Sequence, residues 1–278
     1  MSSTTSGPPE RRKITVPDLA RFKADGRKIT MVTAYDVTFA RLIDDAGVDS
    51  ILVGDSVASV VQGERTTIPV ELDEMAYHVR AVARANPKAL VVGDLPFGSY
   101  QVSPQQGVAS AVTLMKAGAE AVKLEGGTAM AETIAAITRV DIPVVAHIGL
   151  TPQSYFRMGG HRVQGRASGF EAGGRERLLE DAHAVEQAGA CAVVVECVPM
   201  DLAGEITGKL SIPTIGIGAG IDCDGQVLVM HDLLGLSERR MAFVKRYAEL
   251  GREVVAATEA FVADVRSSTF PDDGHSFH

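Results

Sequence analysis

Five apolar runs in this chain each stop at an ionisable side chain, and that repeated ending limits the folds open to it. Ile51-Leu52-Val53 runs into Gly54-Asp55-Ser56, Ala89-Leu90-Val91-Val92 into Gly93-Asp94, and Ala121-Val122 into Lys123-Leu124-Glu125. Val144-Val145-Ala146 ends at His147, and Val193-Val194-Val195 at Glu196. Short runs of this kind, rich in β-branched residues and bounded by turn signals, read as strands buried on both faces. Strands that all carry their chemistry at the C-terminal end predict a parallel sheet or barrel with one shared active face.

An internal repeat chooses between sheet and barrel. Ala-Gly pairs at Ala46-Gly47, Ala117-Gly118 and Ala188-Gly189 each follow a helical stretch and precede a strand, with the glycines evenly spaced by 71 positions. One further strand lies within each period, so a βα unit takes roughly 36 residues, a crossover-unit length. The 278 residues then hold about eight such units, the number a (β/α)8 TIM barrel needs. A doubly wound open sheet is the rival, but it carries fewer strands and a topological switch point.

Local signals fit the repeat. Pro17 to Lys23 predicts a short helix ended by Asp25-Gly26, Ile29 to Thr33 the first strand, and Asp36 the N-cap of a helix through Phe39, Leu42 and Ile43. Ser103-Pro104-Gln105-Gln106 is a capping box with proline at the first helical position, and Thr128 is a candidate cap for the next helix. Pro213 to Gly218 and Val227 to Met230 are the expected seventh and eighth strands, and Arg239 to about Val265 a terminal helix. The domain plan is a disordered tail over 1–14, one barrel domain over 15–266, and a frayed tail over 267–278.

Composition removes several function classes. A formal net charge of -8 argues against a nucleic-acid binder, whose affinity comes from a basic surface. No apolar stretch approaches the roughly 20 residues of a membrane helix, and Met1 to Lys13 lacks an apolar core of the signal-peptide kind. Cys191, Cys197 and Cys223 are an odd number, two of them within or beside a strand; they read as buried thiols in a cytoplasmic protein.

Gly149 to Gly174 breaks the regularity. It is too long for an ordinary βα connection, carries Gly159, Gly160, Gly165, Gly169, Gly173 and Gly174, and follows the strand that ends at His147. Such a segment after strand 5 is either an active-site lid or a disordered insertion, and its position favours the lid.

In a barrel, Asp55, Asp94, Lys123, Glu125, His147 and Glu196 converge at the C-terminal face. Lys123 and Glu125, two apart on one strand, face the same way. Carboxylates that meet in a confined site repel one another unless a cation neutralises them, and an all-oxygen set favours Mg2+ over zinc. One Asp alone would read equally well as a helix cap or loop hydrogen bond, but the set together does not. His147 also reads as a hydrogen-bonded core histidine, and His78 and His183 as helix-face residues. Gly216-Ile217-Gly218-Ala219-Gly220 has the look of a phosphate-cradling loop and equally of a close-packed turn. Arg157, His161, Arg162 and Arg166 are either contacts for an anion or simply solvated.

These residues resemble the ketopantoate hydroxymethyltransferase family. The matching stretches are Leu52 to Ser56, Gly93-Asp94-Leu95-Pro96-Phe97, Val122 to Gly127, His147-Ile148-Gly149-Leu150-Thr151-Pro152-Gln153, Val163-Gln164-Gly165-Arg166, Glu196-Cys197-Val198-Pro199, and Gly216 to Gly220, in order from about Thr30 to Gly235. The resemblance implies a (β/α)8 barrel, a Mg2+ ion, and transfer of a hydroxymethyl group from methylenetetrahydrofolate to α-ketoisovalerate, giving ketopantoate. By position it makes Asp55 and Asp94 metal ligands that also meet the substrate, with Glu125 completing the metal environment directly or through water. Ser56 and Lys123 would hold the substrate carboxylate, Glu196 would be the catalytic base, and His147 and the lid would line the pocket. A large homo-oligomer, often ten subunits, is implied as well.

The rival enzyme reading is a Mg2+-dependent 2-oxo acid lyase or mutase resembling the phosphoenolpyruvate mutase and isocitrate lyase group. Those enzymes typically use a reactive lid cysteine, and Gly149 to Gly174 contains none. A catalytically silent barrel that binds an anion or serves in an assembly is the third, weakened by the presence together of the acids, Lys123 and Glu196.

Overall fold

The computed structural model describes residues 11–166, 174–238 and 241–278. It falls into two compact units, 1–228 and 229–278, where the sequence plan has one domain over 15–266. The first unit is a closed barrel of eight parallel strands in sequence order: β1 (Ile29–Thr33), β2 (Ser50–Val53), β3 (Leu90–Asp94), β4 (Ala121–Glu125), β5 (Val144–Gly149), β6 (Ala192–Glu196), β7 (Thr214–Ile217) and β8 (Gly225–Leu228). β8 closes it against β1, with Ile29 opposite Gly225 and Met31 opposite Val227. Helices of this unit are α1 (Val16–Ala24), α2 (Val37–Asp45), α3 (Val57–Val60), α4 (Leu72–Ala83), α5 (Pro104–Ala117), α6 (Ala131–Thr138), α7 (Tyr155–Met158), α8 (Gly174–Gln187) and α9 (Met200–Lys209).

The repeat has a backbone cause. Gly47, Gly118 and Gly189 follow the ends of α2, α5 and α8 with φ of 91°, 112° and 92°. That left-handed turn ends a helix and costs a residue with a Cβ. The expected caps at Asp36 and Ser103 form, Asp36 accepting from the amides of Thr38 and Phe39 and Ser103 from that of Gln106. Each is worth about 1 kcal/mol.

The barrel interior holds Met31, Leu52, Leu90, Val92, Ala121, Val145, Ala192, Val194, Ile215 and Val227, all buried. Ile14, Leu19 and Phe22 of α1 and its lead-in join this cluster and close its lower end. Strand side chains alternate between faces, so counting by two from the packed layer fixes what lies above it. Leu90 and Val92 are followed by Asp94, Ala121 by Lys123 and Glu125, Val145 by His147, and Val194 by Glu196.

Several boundaries differ from expectation. Residues 1–10 of the expected tail lie outside the described residues, but Arg11 and Arg12 are not loose: Arg11 pairs with Asp44 at 3.0 Å and Arg12 with Asp18 at 2.6 Å. Asp18 is buried and also accepts from the amide and hydroxyl of Thr15, which ties the chain's entry to the start of α1. Thr128 does not cap α6; its amide is taken by Asp181 on α8, and the helix starts later at Ala131 after a 3-10 turn. The eighth strand starts two residues early because a Cβ at Gly225 would meet the Ile29 carbonyl oxygen at 2.4 Å, so the backbone pairs there before the apolar run begins.

The second unit contains α10 (Met230–Leu233) and α11 (Leu250–Arg266). The terminal helix therefore begins at Leu250. Of the expected earlier turns, Arg239 and Arg240 lie outside the described residues, and the amides of Tyr247 and Leu250 bond the carbonyls of Leu233 and Leu234 instead of a helical ladder. Beyond α11, a short turn over Asp273–His275 is capped by Asp272. No helix among the described residues is long and apolar enough to cross a membrane.

Candidate active site

Strand register assembles the polar layer. Asp94 lies opposite Lys123, Glu125 opposite His147, and Gly149 opposite Glu196. Gly149 is required at that last junction: its φ is 91°, and a Cβ would sit 2.3 Å from the Glu196 carbonyl oxygen. Lys123 Nζ donates to both oxygens of Asp94, at 2.7 and 2.8 Å. His147 Nδ1 is 3.3 Å from Glu125 Oε1 and its Nε2 3.2 Å from Glu196 Oε2, ion pairs whose alignment falls short of hydrogen bonds. Asp55, just past β2, donates its amide to Asp94 Oδ2 at 3.2 Å. All six residues named from sequence as the convergent set are thus brought together. Asp55, Asp94, Lys123, Glu125 and His147 are buried, whereas the Glu196 side chain keeps 13% of its exposure and opens toward the mouth.

Charge is crowded here. Burial, then Asp94 and Glu125, pushes the Asp55 carboxyl well above its usual range, with Lys123 and Gln153 pulling the other way. Burial alone would lower Lys123, but Asp94, Glu125 and Asp55 outweigh it and hold the ammonium above its ordinary value. Burial and Lys123 oppose charge on His147, yet Glu125 and Glu196 raise it to about 9, which favours the protonated ring.

Three residues given no role from sequence complete the site. Gln153, on the 3-10 turn Pro152–Ser154 after β5, donates its side-chain amide to Asp55 Oδ2 at 2.9 Å and its backbone amide to Glu125 Oε2 at 2.9 Å. Tyr100, buried, accepts from the Glu125 amide at 3.0 Å and donates to Gln153 Oε1 at 2.6 Å. Tyr35 shares a 2.8 Å hydrogen bond with Ser56 Oγ, and its carbonyl meets His78 Nδ1 at 2.8 Å. Gln153 stands inside a quoted stretch, six residues beyond His147 in His147-Ile148-Gly149-Leu150-Thr151-Pro152-Gln153, which is the signal that could have found it.

The remaining candidates stay apart from this cluster. Arg157, His161, Arg162 and Arg166 are exposed on the long loop after β5, whose residues 167–173, including Gly169 and Gly173, lie outside the described residues. Cys223 is buried as expected, but Cys191 and Cys197 are only half-buried, at the two ends of β6. Burial still pushes both of those thiols up to about 12.

The donor set fits Mg2+. Asp55 and Asp94 adjoin, and Glu125 Oε1 is a buried carboxylate oxygen with no hydrogen-bond partner. Among the described residues no three acidic, histidine or cysteine side chains form a ready-made ligand cluster. Carboxylate oxygens suit an ion that keeps several waters and takes one or two carboxylates.

The model of a family described as ketopantoate hydroxymethyltransferase matches residues 13–273. Among relatives named 3-methyl-2-oxobutanoate hydroxymethyltransferase, that of Pelobacter propionicus is 54% identical over 96% of this chain and 98% of its own length. That of Moorella thermoacetica is 56% identical over 96% and 99%. Solved structures share the barrel: phosphonopyruvate hydrolase has a TM-score of 0.62 at 15% identity, covering 95% of this chain and 92% of its own. A 2,3-dimethylmalate lyase, described as a PEP mutase/isocitrate lyase superfamily member, has 0.59 at 17%, covering 94% and 91%.

Proposed function

The chain belongs to the ketopantoate hydroxymethyltransferase family, and from that premise we propose that it transfers a hydroxymethyl group from methylenetetrahydrofolate to 3-methyl-2-oxobutanoate (α-ketoisovalerate), giving ketopantoate for pantothenate synthesis. The observation that carries this reading is a carboxylate, Glu196, standing open beside a buried, lysine-bearing set of acids that suits a divalent cation.

The difficult step is removal of the C3 proton next to a ketone. Asp55 and Asp94 would hold Mg2+, with Glu125 reaching it directly or through water, and the ion would supply Lewis-acid stabilisation of the negative charge that develops on the keto oxygen. Lys123 and the Ser56 hydroxyl bind the substrate carboxylate, Lys123 through the N–H that Asp94 leaves over. Glu196 takes the C3 proton, and His147 Nε2, 3.2 Å away, fixes which way the carboxylate faces. The carbon so activated bonds to the one-carbon unit as its two C–N bonds to the folate break; one water supplies the hydroxyl oxygen, and tetrahydrofolate leaves with the proton taken from C3 and one from that water. The described part of the segment after β5, residues 150–166, serves as a lid that keeps bulk water from the folate-derived electrophile.

We further infer a cytoplasmic enzyme, since its three cysteines are free thiols, and a large homo-oligomer. Support for association comes from α11, where Val254, Val255, Phe261 and Val265 are exposed and no residue is buried.

The test is proton NMR of 3-methyl-2-oxobutanoate in D2O with the protein and Mg2+ but no folate. Metal-dependent loss of the C3 proton signal, abolished by EDTA, by Asp94→Ala and by Glu196→Gln, is expected. Absence of exchange, followed by no ketopantoate when methylenetetrahydrofolate is added, would overturn the assignment.

A further inference from the structure

Gln153 has an environment that fixes its side chain completely. Its Nε2 donates to Asp55 Oδ2 at 2.9 Å and to the Leu95 carbonyl at 3.0 Å, the second of which can only accept. Its Oε1 receives the Tyr100 hydroxyl at 2.6 Å and Gln101 Nε2 at 3.0 Å. The orientation of Gln101 is set in turn by the Gly98 amide, which donates to its Oε1 at 2.7 Å. Tyr100 accepts from the Glu125 amide, and of the two acceptors its proton can reach, Gln153 Oε1 at 2.6 Å is nearer than the Glu125 carbonyl at 3.1 Å. A hydrogen-bond chain thus runs from the Glu125 backbone, through Tyr100, to Gln153 and Asp55. A rotated amide would set N–H against N–H and oxygen against carboxylate.

The same residue closes a loop through its backbone amide, which donates to Glu125 Oε2 at 2.9 Å. Gln153 therefore occupies one oxygen of Asp55 and one of Glu125. Of the other oxygens, Glu125 Oε1 is buried without a hydrogen bond and faces His147 Nδ1 at 3.3 Å, so a cation or its waters would share it with that ring. We propose that Gln153 is a positioning residue for the divalent cation: with Tyr100 behind it, it sets the two carboxylates at the spacing and rotation that cation binding needs. This rests on the cation role assigned above to Asp55 and Glu125. It also makes the start of the loop after β5 part of the metal site, because Gln153 lies four residues beyond the last residue of that strand.

Outer partners of metal ligands typically change affinity by about 10–100-fold when removed. The experiment is Mn2+ binding to the whole protein, without substrate or folate, read by electron paramagnetic resonance of the free ion. Melting temperatures are recorded in EDTA beside it. Gln153→Met, close in size but without the amide, is expected to weaken Mn2+ at least tenfold in molecules that remain folded. Tyr100→Phe, which removes only the hydroxyl, should weaken it about threefold, and Gln153→Asn should lie nearer Gln153→Met than wild type. A merely structural role would lower the EDTA melting temperature and leave the Mn2+ dissociation constant unchanged, which would overturn the proposal. Should Gln153→Met not fold, Tyr100→Phe decides, with unchanged Mn2+ binding again the overturning result. Wild-type protein that binds no Mn2+ would instead count against the function assigned above, so the two failures are distinguishable.

Discussion

His147 Nε2 and Glu196 Oε2 are 3.2 Å apart across neighbouring strands, and the same ring meets Glu125 on its other nitrogen at 3.3 Å. One imidazole ring thus joins the carboxylate beside the cation position to the carboxylate at the mouth. Glu196→Gln keeps the shape and removes the base, so C3 exchange should fall by roughly 10²–10⁴-fold. Mn2+ binding should stay within about twofold of wild type. Exchange that survives this substitution would place the base elsewhere.

Lys123 neutralises Asp94 inside the barrel, with both oxygens engaged. Lys123→Met leaves a buried carboxylate uncompensated, a loss of about 3–5 kcal/mol. Urea unfolding in EDTA should show it, and adding Mg2+ should recover part of the loss. A variant as stable as wild type would mean that water reaches Asp94.

Asp18 is held below the usual carboxylate range chiefly by its hydrogen bonds from Arg12, with burial opposing and Thr15 assisting. Its folded value is lower than its unfolded one, so the stability it contributes is present above about pH 4 and is lost as pH falls further. Asp18→Asn should cost about 1 kcal/mol at pH 7 through the lost cap and pairing. Its stability curve between about pH 4 and pH 2 should be flatter than that of wild type. Parallel curves would sink the assignment of acid sensitivity to this residue.

Gly149→Ala would place a Cβ against the Glu196 carbonyl and force an alanine to a φ of 91°. A cost of about 1–3 kcal/mol is expected. Because the strain falls on the strand residue that carries the base, exchange should drop more in kcat than in KM. A fall in stability with normal kcat would show that β6 yields without moving Glu196.

The barrel and its polar layer were legible because both are periodic. The glycines at 47, 118 and 189 mark helix ends whose backbone demands them, and alternation along β3, β4, β5 and β6 puts Asp94, Lys123, Glu125, His147 and Glu196 on the inner face. What escaped is what depends on contacts remote in sequence. Gln153 and Tyr100 meet Asp55 and Glu125 from two different loops, and no local pattern encodes that meeting. Thr128 has the residue type of a cap, but Asp181, far along the chain, takes its amide. The stretch before Leu250 lacks a helical ladder because its amides bond the carbonyls of Leu233 and Leu234.

The closure of β8 on β1 has a consequence for how the protein is made. Ile14, Leu19 and Phe22 share a core with Val227, so segments about 200 residues apart in order of synthesis belong to the same cluster. Until Gly225–Leu228 emerges, β1 and β7 are open edges that can pair with another chain. Such non-local pairing is slow to form. A nascent chain stopped before residue 225 would therefore present two sticky borders, and chaperones that shield strand edges should associate with it longest over that interval.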